Sequence, residues 1–346
     1  MQISDRYSSC KRVLVFNPSF IGDAILTTPL VHALQALLPE AEVDLCIRPE
    51  SAPLFQHLNA VIYDKRKTHA SLRGALRFAS ELREAKYDLI LSPHKSLRSS
   101  LTIKYAKPRL GAIGFRQAAL AWLYQHTVNR NMALHEVERN LSLLEPITDG
   151  YSREDAKALG GTLSTYLDEA YNKSVQNLFD NKAVIGLSPG SVWGTKRWPT
   201  EHFTRLANLL HEAGYALAIT GGPGDVAETD ALLASLSFDA FDFANKVPFG
   251  YLPAVIANMK LLVTNDSSPL HIAISQNVPT VAIFGATVPK LGFYPYDSRS
   301  IVCENTTLDC RPCGLHGQKT CPRKHFKCML DLPPEQVLEA VKKILG

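Results

Sequence analysis

Short apolar runs punctuate the chain, each followed by a turn and then by a stretch of helical periodicity. "RVLVF" (12–16), "VDLCI" (43–47) and "DLILS" (88–92) have the length and bounding residues of buried strands. Residues 24–38 and 71–86 repeat apolar positions every three to four residues, which predicts helices. "LTIKYAKPRLGAIGFR" continues the βα pattern, with turn signals at Pro108, Gly111 and Gly114. Residues 146–182 are polar, lack strand signals and hold one helical stretch near 165–179.

The alternation resumes at 183. Strands are expected at "AVIGLSP", "YALAIT", near 239–243 and at "KLLVTN", and helices near 200–213, near 226–236, at "GYLPAVIANM" and at "SSPLHIAIS". "PTVAIFG" is expected to close the second sheet, and "PPEQVLEAVKKIL" to form a terminal helix with Pro in its first turn. Such alternation predicts an α/β protein of doubly wound parallel sheets. Two halves follow: a first domain over 1–165, a connection over 166–182 and a second domain over 183–346. Ligands of such folds are expected in a cleft at the carboxyl ends of the strands.

A chain of 346 residues can bury two cores of ordinary size. At 46% apolar and 20% charged residues, it has no apolar run near the ~18–20 residues that span a bilayer. "MQISDRYSSCKR" lacks the apolar region of a secretory signal. A cytoplasmic protein is expected, or one bound to a membrane from the cytoplasmic side. The net charge of +4 hides an asymmetry: Lys65 to Arg116 holds 13 Lys and Arg against three acids, leaving the remainder at −6. A block this basic suggests an anionic partner, although a solvated helix face accounts for any single charge.

The polar residues cluster just after strands. In "NPSFIGDAILTTPL" the first strand-to-helix turn carries Gly22 and Asp23, one carboxylate and one glycine, where a pyrophosphate-binding loop would be glycine-rich. That suits chemistry on a substrate. "LSPGSVWGTKRWP" places Gly190, Ser191 and Lys196 in one loop, a set suited to a diphosphate, with Trp193 and Trp198 as anchors. "VTNDSSPLH" puts Asn265, Asp266, Ser267 and Ser268 where a strand meets a helix, as an anion site or as a helix cap. "TGGPGDVAETD" has Gly222, Gly224 and Ala227 in dinucleotide-loop spacing, with Asp242 further on. Pro223 removes a backbone donor there, so the loop reads better as a turn that brings Asp225 or Glu228 to a nucleotide ribose. Near the end, Cys310, Cys313, Cys321 and Cys328 offer a four-thiolate set for structural zinc, against reduced thiols packing a loop.

In this order, "IGDAILTTP", "GTKRWP", "TNDSSPLH" and "VAIFGATVP" resemble the motifs of the ADP-heptose:lipopolysaccharide heptosyltransferases of glycosyltransferase family 9, the heptosyltransferase II branch in particular. The resemblance covers residues 12 to 345 and includes the cysteine-rich tail. It implies the GT-B architecture, two Rossmann-like domains facing a central cleft, with the terminal helix packed back on the first domain. It implies a metal-independent, inverting transfer of heptose from ADP-L-glycero-D-manno-heptose to the lipopolysaccharide inner core, as the second heptose or at another core step. Asp23 then matches the catalytic base and Lys196 the lysine on the donor's phosphates. Asp266, Ser267 and Ser268 match the donor-phosphate turn and His271 its family counterpart, though a satisfied helical histidine accounts for His271 equally well; Gly22, Ser191, Asp225 and Glu228 are expected at the donor from their own turns and loops. Relatives usually carry Gly where this chain has Ser268. The basic block acquires a candidate partner in an anionic Kdo-lipid A acceptor on the cytoplasmic leaflet of the inner membrane, with Lys95, Arg98, Lys104 and Arg116 as contacts. A nicotinamide-dependent oxidoreductase built on Gly222–Ala227, and a zinc-stapled nucleotide-sugar binding protein without turnover, are the competing readings.

Overall fold

β1 (Arg12–Phe16), β2 (Glu42–Ile47), β3 (Asn59–Ile62), β4 (Leu89–Ser92), β5 (Ala112–Phe115) and β6 (His126–Val128) pair in parallel, in the order β3-β2-β1-β4-β5-β6. The same order recurs later in the chain. β7 (Val184–Ser188), β8 (Ala216–Ile219), β9 (Phe241–Asp242), β10 (Leu261–Asn265), β11 (Thr280–Phe284) and β12 (Ile301–Glu304) pair in parallel as β9-β8-β7-β10-β11-β12. This is the doubly wound order, whose direction reverses beside the first strand of each sheet. The computed structural model describes all 346 residues and divides into two units, Met1–Ser164 and Thr165–Gly346.

In the first unit the strands are joined through α1 (Ile21–Ile25), α2 (Thr28–Leu37), α3 (Leu72–Glu84), α4 (Leu97–Ala106), α5 (Glu136–Leu141) and α6 (Arg153–Gly160). Val13, Leu14, Val15 and Phe16 of β1 are wholly buried, as expected of a central strand covered on both faces. The stretch 24–38, which reads as one helix, is two. Pro29 has no N–H to continue the ladder, and Thr27 Oγ1 turns back to the Asp23 carbonyl at 2.7 Å.

The second unit carries α7 (Glu169–Phe179), α8 (Thr200–Glu212), α9 (Val226–Ala234), α10 (Leu252–Ala257), α11 (Ser268–Ser275), α12 (Lys327–Leu330) and α13 (Pro334–Leu345). Three differences from the sequence reading appear here. β11 does not close the sheet, because β12 pairs outside it. The 166–182 stretch is largely α7, whose buried Val175 and Phe179 belong to this unit. The terminal helix α13 sets its buried stripe, Val337, Ala340 and Val341, into the second unit's own core with β7, β10 and β11 residues, whereas the resemblance leads one to expect it on the first domain. No helix is long and apolar enough to cross a membrane.

Candidate functional site

In each unit most of the polar residues singled out above stand at the carboxyl edge of the sheet, and Asp23, Lys196 and Asp266 stand there in the loops and turns that follow β1, β7 and β10, the strands beside the point where strand order reverses.

In the first unit, Asp23 sits in α1, directly after β1. Its Oδ2 accepts the Phe20 N–H at 3.2 Å, while Asn17 and Thr27 hold the backbone beneath it: Asn17 Nδ2 donates to Thr27 Oγ1 at 2.7 Å. From the other side, Asn140 Nδ2 of α5 donates to the Leu26 carbonyl at 3.2 Å. Burial, then the charge of Glu136, pushes the Asp23 carboxyl up to about 6, against the opposing pull of Arg130 and Arg48. Gly22 precedes it in the same helix and is partly exposed.

Basic side chains follow every other strand of this sheet: Arg48 after β2, Lys65 after β3, His94 and Lys95 after β4, Arg116 after β5 and Arg130 after β6. Crowding is visible in their protonation. Burial, with Arg48 and Arg98 nearby, lowers Lys65 to about 8, and burial beside Lys65, Arg48 and Lys95 drives His94 to about 3. Lys95 is lowered by burial and by Arg130. Glu136 is held by both Arg130 and Arg139, with its contact to Arg139 Nη1 at 2.9 Å. Of the four acceptor contacts expected, Lys95 and Arg116 lie at this edge. Arg98 has its terminal donors occupied: it donates to the Lys65, His69 and Ala70 carbonyls and so fixes the loop after β3. Lys104 occupies the last turn of α4, and a crossover helix runs back from the carboxyl edge, so it lies at the far end.

In the second unit, Lys196 Nζ meets Asp266 Oδ2 at 2.6 Å, and the same oxygen accepts from Thr287 Oγ1 at 2.6 Å. Asp266, expected among the phosphate contacts, therefore holds the lysine. Asn265 joins the loops, with Nδ2 donating to the Pro189 carbonyl at 2.7 Å and Oδ1 accepting the Trp198 N–H at 3.1 Å. Ser267 precedes α11 and Ser268 begins it, with no side-chain cap. Ser267 Oγ instead donates to the Asn265 carbonyl at 3.3 Å. The capping account of this turn thus fails, and the first amides of α11 carry the positive end of the helix dipole unshielded by a cap. His271 is buried within α11. Ser191 is buried and accepts the Trp193 N–H.

The β8–α9 turn is occupied internally. Asp225 Oδ2 accepts the Gly222 N–H at 2.9 Å, and a Cβ on Gly190 would come within 2.1 Å of the Asp225 carboxyl. Glu228 is paired with Arg197, whose Nε donates to the Ser191 carbonyl at 2.7 Å. Both acids, expected at a ribose, tie the 190 and 224 loops together. The dinucleotide reading of Gly222–Ala227 weakens for the same reason: a donor a pyrophosphate would need is taken, and β8 lies off the reversal point. Asp242 pairs with Lys246.

Of the two readings of the cysteines, the structure does not gather the four-thiolate zinc set. All seven are free thiols, and no group of three or more His, Cys, Asp or Glu is disposed to hold a metal ion. Cys310 Sγ lies 3.9 Å from His325 Nε2, and Cys313 Sγ turns to the Cys310 carbonyl. Cys328 is buried in the core with Cys303, and burial raises it to about 11; the Cys321 thiol is lowered by the backbone amides around it. The tail has another task that the sequence did not disclose. Gln318 exchanges backbone and hydroxyl hydrogen bonds with Thr195, beside Lys196. A Cβ on Gly194 would stand 2.3 Å from the Lys319 carbonyl. The cysteine-rich loop thus braces the lysine loop.

The model of glycosyltransferase family 9 (heptosyltransferase) matches residues 75–325. Lipooligosaccharide heptosyltransferase 2 of Campylobacter jejuni is 26% identical over 342 residues, covering 96% of this chain and 99% of that protein. Lipopolysaccharide heptosyltransferase 3 of Escherichia coli is 28% identical, over 77% of this chain and 80% of that one. The structure of E. coli ADP-heptose lps heptosyltransferase II superposes with a TM-score of 0.76 at 24% identity, covering 97% and 98% of the two chains, so the fold is GT-B. With doubly wound sheets in both units and four family motifs gathered at their carboxyl edges, this chain belongs to glycosyltransferase family 9, the heptosyltransferases.

Proposed function

We propose that the protein transfers heptose from ADP-L-glycero-D-manno-heptose to the lipopolysaccharide inner core, as the second heptose, with inversion and without a metal. Asp23 carries this proposal: a carboxylate at the edge of β1 whose proton affinity is raised to about 6 is matched to a general base working near neutral pH.

Asp23 takes the proton of the acceptor hydroxyl as its oxygen bonds to the anomeric carbon. The bond from that carbon to the diphosphate breaks on the opposite face, and ADP leaves. Negative charge grows on the diphosphate, where Lys196, Ser267, Ser268 and the amides opening α11 oppose it more in the transition state than in the ground state. Asp266 keeps Lys196 aimed until the diphosphate competes for it. These cationic and amide donors are why no metal is invoked. The cations from Arg48 to Arg130 suit an acceptor bearing carboxylates and phosphates, and a lipid-anchored acceptor of the Kdo-lipid A type places the enzyme at the cytoplasmic face of the inner membrane.

The test is ADP release from ADP-heptose with Kdo-lipid A that carries one heptose, with heptose-free Kdo-lipid A, and with neither. Release that requires the heptose-bearing acceptor and collapses in Asp23→Ala, with donor binding retained, is expected. Release only with the heptose-free acceptor moves the enzyme one step earlier. Silence with both, in a folded protein, overturns the assignment.

A further inference from the structure

Helix α4 buries several hydroxyls and exposes a stripe of large apolar side chains. Its inward face carries Ser99, Ser100 and Thr102 beside Ile103 and Ala106, all buried; Ser99 is partnered by His94 at 2.6 Å and Ser100 by the Tyr124 hydroxyl at 3.3 Å. Its outward face carries Leu97, Leu101 and Tyr105, four residues apart and hence on one stripe, at 54%, 36% and 53% exposure. α3 packs beside α4. It buries Ala75, Phe78, Ala79 and Leu82, yet it shows Leu72 and Leu76 to solvent at 73% and 45%. Trp122, on a turn that touches α4, is 78% exposed.

Single exposed leucines need no explanation, but six large apolar side chains on adjoining elements do. Their setting is cationic. Arg73, Lys104 and Lys107 are exposed among them, within the segment where 13 basic residues meet three acids.

We propose that the outward face of α3 and α4, with Trp122, docks on an anionic lipid bilayer. The apolar side chains enter the boundary between headgroups and acyl chains, and the flanking cations meet lipid phosphates. This rests on the preceding proposal that the acceptor is lipid-anchored. Charge selects the occupant: a second copy of the same face would bring two strongly positive surfaces together, whereas an anionic leaflet complements one.

The test is co-sedimentation of the full chain with phosphatidylglycerol–phosphatidylethanolamine vesicles and with phosphatidylcholine vesicles. Transfer to a delipidated, water-soluble acceptor is measured in parallel. Binding is expected to the anionic vesicles alone, to weaken with salt, and to fall at least about tenfold in Leu97→Asp/Leu101→Asp. Transfer to the soluble acceptor should stay within about twofold, since neither leucine is placed in the reaction. Trp122→Ser provides a second variant should the first not fold. Failure of the wild type to bind, binding indifferent to both variants, or self-association dissolved by them overturns the docking surface. Vesicle binding that follows these rules in a protein inactive on every acceptor retains the surface and overturns the transferase assignment instead.

Discussion

Lys196 Nζ lies 2.6 Å from Asp266 Oδ2, with the two side chains only 12% and 8% exposed. A buried pair is fragile to the loss of one member, because the partner is left charged and desolvated, at a cost of about 3–5 kcal/mol. Lys196→Met should therefore lower unfolding stability by about 3 kcal/mol. The double variant Lys196→Met/Asp266→Asn should recover most of that loss, because Thr287 already satisfies the oxygen that remains. Denaturant unfolding of the singles and the double measures this. Transfer should stay depressed by about 10²–10³-fold in both Lys196→Met proteins, as expected when a preorganised donor is lost; recovery of activity along with stability would assign the lysine to folding alone.

Much of this was legible in the sequence. The strands β1, β2, β4, β7, β8, β10 and β11 are apolar runs that announce themselves, and α8 and α11 follow from periodicity. β3 was not, because "NAVI" is a half-exposed edge strand, and β6 escaped because "HTV" is three residues long. Local pattern also singles out Asp23 and Lys196 as candidates, each on the loop or turn that follows a strand. It did not reveal that Asp225 and Glu228 are taken up by Gly222 and Arg197, nor that Asp266 faces the lysine. The last two pairings span 31 and 70 residues of chain, which no local pattern encodes; Asp225 reaches back only three residues to Gly222, in a turn whose closure composition does not announce. Glu136 and Arg139 carried one usable signal, their i, i+3 spacing in "HEVER".

Ser267 separates a cap from an anion site. A side chain that caps a helix costs about 1 kcal/mol when replaced by alanine. Here the hydroxyl donates to the Asn265 carbonyl at 3.3 Å and leaves the α11 amides uncapped. Ser267→Ala should thus change stability by less than about 0.5 kcal/mol while raising the KM for ADP-heptose several-fold. Thermal unfolding and donor-saturation curves together decide it. A stability loss near 1 kcal/mol with KM unmoved would restore the capping account.

Asp23 links activity to pH. As the base it acts deprotonated, so kcat/KM should climb about tenfold per unit below pH 6 and level off above it. Stability runs the opposite way. The folded-state value of about 6 lies above the ordinary 3.8, so the native state holds the proton more tightly than the unfolded chain. Below both values Asp23 contributes no difference. Between them stability declines as pH rises, and above about 6 the full penalty persists. Asp23→Asn should consequently unfold at a higher temperature than the wild type at pH 8, with the advantage shrinking toward pH 4. Equal melting shifts at the two pH values would contradict the raised proton affinity.

Glu136 tests what sets that affinity. After burial, its charge is the larger influence raising Asp23, opposed by Arg130, and it is itself held by Arg130 and Arg139. Glu136→Gln removes the negative charge and leaves both guanidiniums without a carboxylate. Each change favours the Asp23 carboxylate, so the acid limb of the kcat/KM profile should move to lower pH. The same substitution breaks a buried ion cluster and should cost about 3 kcal/mol or more, which a stability measurement registers separately. Glu136→Asp, which keeps the charge, should hold the limb near its original position even where packing suffers. A merely structural Glu136 would lower activity at every pH and leave the limb in place in both variants.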